Sequence, residues 1–558
     1  MKVRSLLTTL VFTLLVTTGA FAAKPDPART RSYIEHAWNT LTRSVNECRA
    51  LVDPKVPSRS VIYLPWHVAP SAPLMRSAQR CHVKVANLPA PIRQLGDVDP
   101  TKLPAQGLLY LPYPYVVPGG FFNEMYGWDS YFIVLGLVAD HRAALALDMT
   151  NNALYEVEYY GGVLNANRTY YLTRSQPPLL TAMMTAVLDD PASFADAKAK
   201  RDWLARAYPL AVHNYNLWTR KRHLAGDTGL ARYFDYGHGP VIEMPDSDYY
   251  VGVIRWLLAH PSQDPGYLIK APQHPDAGQA GALKETSCDF TTSKICAGDW
   301  LDGYRLTAAY YSGDRAMRES GFDTDFHFGP WGGSTEQYAG AGLNSLLYRY
   351  ERDLQHFATE LGKTADADRW ARAAESRRAA IDKYLWQPQQ GRYMDYDFVT
   401  GKVSTDPYLT MFYPLWAGVA SKQQANELVK QLKLFERKGG LAMSTRITGA
   451  QWDAPYGWAP TNWIAVKGLD DYGFHADASR ISCEFTGTVN RSFARDSTIR
   501  EKYNMYLGNA DVKITAGYKQ NVIGFGWTNG VYLKMRQLIE ADGGCSAVPG
   551  GRAVSAMH

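Results

Sequence analysis

Two carboxylates sit in settings suited to opposite halves of an acid–base reaction. Asp323 lies between Phe322 and Phe326. A carboxylic acid in apolar surroundings has a raised pKa, which a general acid working near neutral pH requires. The plainer reading is an Asx-type turn after Gly321, with Asp323 capping a backbone amide. Asp325 stands two residues on as a second candidate acid. Glu501 has Lys502 and Tyr503 beside it, and taken alone it reads as a solvated surface acid.

Three further segments combine aromatics with carboxylates, amides or Arg. Residues 118–132 carry Gly119 and Gly120, which allow close backbone approach, and then Trp128-Asp129. A flat apolar face beside an acceptor-only carboxylate suits a sugar, whose C–H groups stack while its hydroxyls donate. The alternative is a helix start with Trp128 in the core. Residues 165–178 concentrate Asn165, Asn167, Arg168, Arg174, Ser175 and Gln176 just before Pro177-Pro178. Amide and guanidinium donors can grip several hydroxyl oxygens at once. A solvated loop held by ion pairs is the alternative there. Residues 451–460 pack Gln451, Trp452, Asp453, Tyr456 and Trp458 into a dense amphipathic platform, or else into core and a turn.

These loops need a rigid scaffold to hold them together. Residues 23–30 read as a mobile tail, Ser32 to Leu51 as a helix, and 52–122 as extended segments and loops. From residue 123 onward helical periodicity recurs over 124–140, 142–160, 177–189, 197–220, 247–260, 297–312, 335–361, 364–385, 407–420, 422–434, 459–471, 474–492 and 527–541. Asp196, Pro177-Pro178 and Ser421 are start signals for three of these. No 34- or 40-residue repeat is visible, so an all-α toroid fits better than a solenoid or an α/β sheet.

Composition narrows the function classes. Of 558 residues, 46% are hydrophobic and 20% charged, as in an ordinary globular protein, and 13% are aromatic. The net charge of +5 comes without a long basic run, so no nucleic-acid partner is expected. Residues 1–22 read as a signal peptide, with Lys2 and Arg4 before an apolar run and Ala20-Phe21-Ala22 before the cleavage point. That predicts a periplasmic or secreted protein with no membrane association after cleavage. Six cysteines then suggest disulfides: Cys288 with Cys296 across a short polar loop, with Cys48–Cys81 and Cys483–Cys545 as pairings the sequence does not fix. No CxxC or HExxH spacing occurs, so no metal is expected.

Taken together, the segments resemble the trehalase family of glycoside hydrolases (family 37). Residues 118–132 follow its first signature at most positions, and 451–460 follow its second at every position. Further matches fall at 165–178, Glu319 to Asp323, Glu501 to Tyr503 and Gly524 to Gly530, in the family's order. The resemblance implies an (α/α)6 toroid over 123–541, with 23–122 as an N-terminal extension packing on the barrel and 542–558 as a tail. It implies inverting hydrolysis of α,α-trehalose to two glucose molecules by a monomer, with no cofactor. Asp323 would be the general acid and Glu501 the general base. Trp128, Asp129, Asn165, Arg174, Ser175, Gln176, Asp246, Gly321, Gln451 and Trp452 would contact the sugar.

The chain departs from the family at three places. Phe121 replaces an Arg after Pro-Gly-Gly. Met244-Pro245-Asp246-Ser247 is the nearest match to Arg-Pro-Glu-Ser. Residues 511–523 lack the family's glycine run and its Glu. A toroidal glycosidase acting on another gluco-disaccharide, or a catalytically silent sugar-binding protein, are the competing expectations.

Overall fold

The computed structural model of the chain describes residues 25–545 apart from 57–58 and 245. The expected signal peptide and most of the expected tail after 542 lie outside these residues.

Six helices close a ring through consecutive packing: Gly127–Ala139, Leu180–Leu188, Ala341–Glu360, Tyr413–Ala417, Ala459–Asp471 and Gly526–Ala541, the last returning to the first. The ring helices are buried on most faces, as in Gly127–Ala139 and Ala459–Asp471, because both sides of each meet protein. Gly136 and Gly530 allow the closing contact. A Cβ on Gly136 would lie 2.4 Å from the Gly530 Cα, and one on Gly530 would lie 2.0 Å from the Phe132 carbonyl oxygen.

Five ring helices are followed in the chain by an amphipathic one: Ala143–Tyr160, Ala197–Trp218, Thr364–Tyr384, Lys422–Val429 and His475–Asp496. In Ala197–Trp218 the buried positions Trp203, Leu204, Ala207, Tyr208, Ala211, Tyr215 and Trp218 form one stripe. Asp196 caps it through the Ala199 amide at 2.7 Å, and Ser421 with Gln424 forms a capping box on Lys422–Val429. The sixth outer place belongs to Pro27–Leu41, which packs on Gly526–Ala541 and His475–Asp496. The (α/α)6 toroid is therefore the architecture.

Two local expectations fail at the N-terminus. Residues 27–30 are helical, not a mobile tail, because Asp26 caps the Ala28 amide at 2.9 Å and Pro27 opens the first turn. The helix ends at Leu41 instead of Leu51, where Thr42–Arg43 pairs with Tyr115–Val116. Residues 52–122 contribute a three-stranded parallel sheet of Lys84–Asn87, Val61–Leu64 and Leu108–Leu109 with its own apolar clusters.

Disulfides join Cys48–Cys81, Cys288–Cys296 and Cys483–Cys545. Among the described residues no helix is long and apolar enough to cross a membrane.

Candidate active site

The segments 118–132, 165–178 and 451–460 converge with Asp323 and Glu501 on one cleft of about 320 Å3 at the mouth of the ring. Nine of the expected residues line it: Trp128, Asp129, Asn165, Arg174, Gln176, Gly321, Asp323, Trp452 and Glu501.

Asp323 arrives from the helix Ala308–Ser320. Gly321 caps that helix at φ 77°, where its missing Cβ leaves room for the Trp128 ring, 3.0 Å from the position a Cβ would take. The next turn delivers Asp323 into the cleft, where its side chain stays 34% exposed. Gln451 donates from Nε2 to the Asp323 carbonyl and so pins its backbone. Burial raises the Asp323 carboxyl from 3.8 to about 6, opposed by the Arg318 guanidinium, whose Nη1 lies 3.9 Å away. The carboxyl is thus half protonated near pH 6, although one side of it faces the cleft.

Glu501 immediately precedes a strand. Tyr456–Trp458 pairs antiparallel with Lys502–Asn504, Trp458 opposite Lys502. The Glu501 amide donates to the Val522 carbonyl at 2.9 Å, and its carbonyl accepts from Trp527 Nε1 at 3.1 Å. Lys502 Nζ donates to Glu501 Oε2 at 2.9 Å, Gln451 Oε1 at 3.1 Å and the Gln520 carbonyl at 3.0 Å. The Tyr518 hydroxyl donates to Glu501 Oε1. Lys502 is buried, and that desolvation lowers its pKa despite the Glu501 charge.

Asp129 opens the helix Gly127–Ala139 from within the cleft. Burial, reinforced by the Glu501 charge, pushes its carboxyl well above the usual range. The helix start is fixed by the Trp128 amide donating to Gln176 Oε1 at 3.0 Å. Trp128 packs at 5.8 Å on Trp452, which stacks on Trp458 at 3.9 Å and 6°. Trp128 and Trp452 make the floor of the cleft, with Trp458 buried behind them.

A guanidinium wall faces that floor. Arg174 donates to Asn165 Oδ1 at 3.0 Å, Asp235 Oδ2 at 3.4 Å and Glu243 Oε1 at 2.5 Å. Arg318 pairs with Asp314 at 3.2 Å and lies over the Tyr249 ring at 5.1 Å. Both Arg318 and Glu243 line the cleft and were not among the expected contacts. Glu243 precedes the Met-Pro-Asp-Ser stretch directly, so a site acid one step upstream was the available signal. Met244 itself packs in an apolar cluster with Tyr249 and Trp256.

Three expected contacts fall outside the cleft lining. Asp246 is exposed and accepts from the Asp248 amide at 2.9 Å, an Asx turn before a helix. Ser175 donates to the Val163 carbonyl and its amide donates to Glu319, so it holds the loop in shape. Gln451 sits fully buried behind Asp323 and Lys502. Asp325 is likewise buried beneath the loop, its Oδ1 accepting the Phe328 amide at 2.9 Å. Asn167 and Arg168 are also structural: Asn167 bonds the Met125 amide at 2.7 Å, and Arg168 pairs with Glu124 at 2.6 Å and Asp53 at 2.5 Å. Among the described residues no group of three or more His, Cys, Asp or Glu is arranged to hold a metal ion.

The trehalase family model matches residues 20–251 and 305–540. The gap holds the strand Leu268–Lys270 and the Cys288–Cys296 disulfide. A cytosolic neutral trehalase of Beauveria bassiana is 32% identical over 489 residues, 81% of this chain and 61% of that protein. A cytosolic neutral trehalase of Saccharomyces cerevisiae is 33% identical over 451 residues, 75% of this chain and 56% of that protein. The chain thus spans about three fifths of the length of the curated relatives it matches. The solved neutral trehalase Nth1 from Saccharomyces cerevisiae superposes with a TM-score of 0.74 at 28% identity, covering 92% of this chain and 94% of that one.

These names correct one expectation. Most of the matching relatives are named cytosolic neutral trehalases, which overturns the periplasmic or secreted location read from residues 1–22. A short apolar run behind two basic residues is a pattern of composition and does not by itself fix a location. With the match covering most of its length and the ring and cleft in place, the chain belongs to the trehalase family.

Proposed function

We propose that this chain hydrolyses α,α-trehalose to two glucose molecules with inversion, Asp323 acting as general acid and Glu501 as general base. The observation that carries this reading is that both carboxylates open on one cleft while Asp323 is held at about 6 by burial. Asp323 protonates the bridging oxygen, which makes the first glucose a leaving group. Glu501 takes a proton from a water attacking the anomeric carbon from the opposite face. The leaving group departs as an alcohol and Asp323 is left ionised, to be reprotonated from solvent. Trp128 and Trp452 stack against the sugar while Asn165, Arg174, Gln176, Glu243 and Arg318 grip its hydroxyls. Gly321 keeps the backbone low beside the ring. Residues 123–541, completed by the outer helix Pro27–Leu41, form the catalytic unit, and the chain acts as a monomer.

Glucose release by purified protein tests the proposal. Turnover of trehalose is expected, with loss of about 10²-fold or more in Asp323→Asn and Glu501→Gln. Full activity in either variant overturns that residue's role. One observation favours a second reading: Phe121, 61% exposed, lines the cleft mouth where the family's motif carries Arg. Faster cleavage of another α-linked gluco-disaccharide than of trehalose would establish altered specificity.

A further inference from the structure

The loop 511–523 is the part of the cleft that departs furthest from the family motif, yet it is firmly built. Its first limb is held by the Tyr456 hydroxyl, which donates to the Lys513 carbonyl at 2.7 Å, and by the Thr515 amide on the Gly449 carbonyl at 2.9 Å. Its return limb is joined to the Glu501 strand. The Asn521 side chain accepts from the Lys502 amide at 3.2 Å and donates to the Lys502 carbonyl at 3.0 Å, and Val522 accepts from Glu501. Between the limbs Gly517 adopts φ 107°, a conformation that favours glycine, and a Cβ there would lie 3.4 Å from Gln451. This turn sends Tyr518 back over the cleft.

The Tyr518 hydroxyl meets Glu501 Oε1, and its ring covers Lys502 Nζ at 4.0 Å, the same ammonium that meets Glu501 Oε2. Each carboxylate oxygen therefore has one fixed donor, and its second lone pair remains for a water in the cleft. Although Tyr518 is 42% exposed overall, desolvation of its hydroxyl and the Glu501 charge push the phenol well above its usual range, so it stays a donor. We propose that Tyr518 is a positioning residue of this enzyme: with Lys502 it clamps the Glu501 carboxylate so that one free edge faces the attacking water. The proposal rests on the reading of Glu501 as the base. A misplaced base costs turnover far more than affinity, because its work is done on the water in the transition state.

The test is steady-state trehalose hydrolysis by wild type, Tyr518→Phe, Glu501→Gln and the double variant, with thermal midpoints to confirm folding. Tyr518→Phe is expected to lower kcat about 10- to 100-fold with KM within about twofold. In the Glu501→Gln background the same change is expected to cost no more than about twofold, since the clamp then has nothing to orient. Tyr518→Leu, which also lacks the hydroxyl, should repeat the kcat loss and stands in if the Phe variant does not fold. If Glu501→Gln loses turnover but Tyr518→Phe keeps kcat within about twofold, the clamp is wrong and the base reading survives. A rise in KM at constant kcat makes Tyr518 a sugar contact and also overturns the clamp. Full activity in Glu501→Gln overturns both.

Discussion

Replacing Arg318 with Met probes the electrostatics of the acid directly. The Arg318 Nη1 lies 3.9 Å from Asp323 Oδ2. Coulomb's law over that distance gives about 1 kcal/mol at a dielectric constant near 80 and about 4 kcal/mol near 20. The lower end applies, because 34% of the Asp323 side chain is exposed and Arg318 is shared with Asp314. A loss of roughly 1–1.5 kcal/mol corresponds to about one pH unit. The sign is set by the charge: the cation favours the ionised carboxylate, so removing it raises the Asp323 pKa above its present value of about 6. A general acid works only while protonated, so the alkaline limb of kcat/KM, expected near pH 6 in the wild type, should move up by about one unit. The plateau should fall about 10-fold or more, because Arg318 also lines the cleft. Asp314 keeps the Tyr249 and Tyr250 hydroxyls at 3.1 and 2.9 Å, so the fold should survive. The assay is kcat/KM for trehalose from pH 4 to 9 in both proteins. An alkaline limb that stays put or moves to lower pH refutes the coupling and, with it, Asp323 as the acid.

Three other outcomes follow from the geometry. Glu243→Gln, which weakens the 2.5 Å pair with Arg174, should lower kcat/KM for trehalose about 10-fold or more, whereas Asp246→Ala should change it less than about twofold; kinetics on the two variants checks both. Asp325 is fully buried and raised from 3.8 to about 7, so its native-state contribution is present below about 3.8 and lost as pH rises through about 7. Asp325→Asn should therefore raise thermal stability at pH 8, by on the order of 1–3 kcal/mol, and much less at pH 4, while retaining turnover; melting curves at the two pH values check the sign. Gly517→Ala should lower kcat, because an L side chain is strained at φ 107° and the turn that aims Tyr518 is lost; steady-state kinetics measures it.

The sequence was informative where one segment does one job. Trp128-Asp129 is a local pair, and the helix start that carries it fixes where it faces. The helical periodicity and its caps were enough for the ring. It was less informative where a side chain's role depends on distant partners. Arg168 and Arg174 share one loop, yet Arg168 is drawn to Glu124 and Asp53 while Arg174 turns to the cleft. Glu243 and Asp246 are three residues apart, and only the first meets Arg174. Arg318 was visible in the same stretch as Asp323, but its place in the cleft depends on the helix turn that separates them. Tyr518 was legible only as an aromatic in a departing loop, because its contact with Glu501 comes from the Gly517 turn and from the return limb bonded to Glu501 and Lys502.

The stereochemistry of the first products tests the central claim most directly. Proton NMR of trehalose hydrolysis, read before the anomers equilibrate, distinguishes the two possible geometries. Inversion by Asp323 and Glu501 predicts β-glucose and α-glucose appearing together in equal amounts, one from each half of the disaccharide. Initial release of α-glucose alone would mean retention, and would contradict a water activated by Glu501 on the face opposite the leaving group.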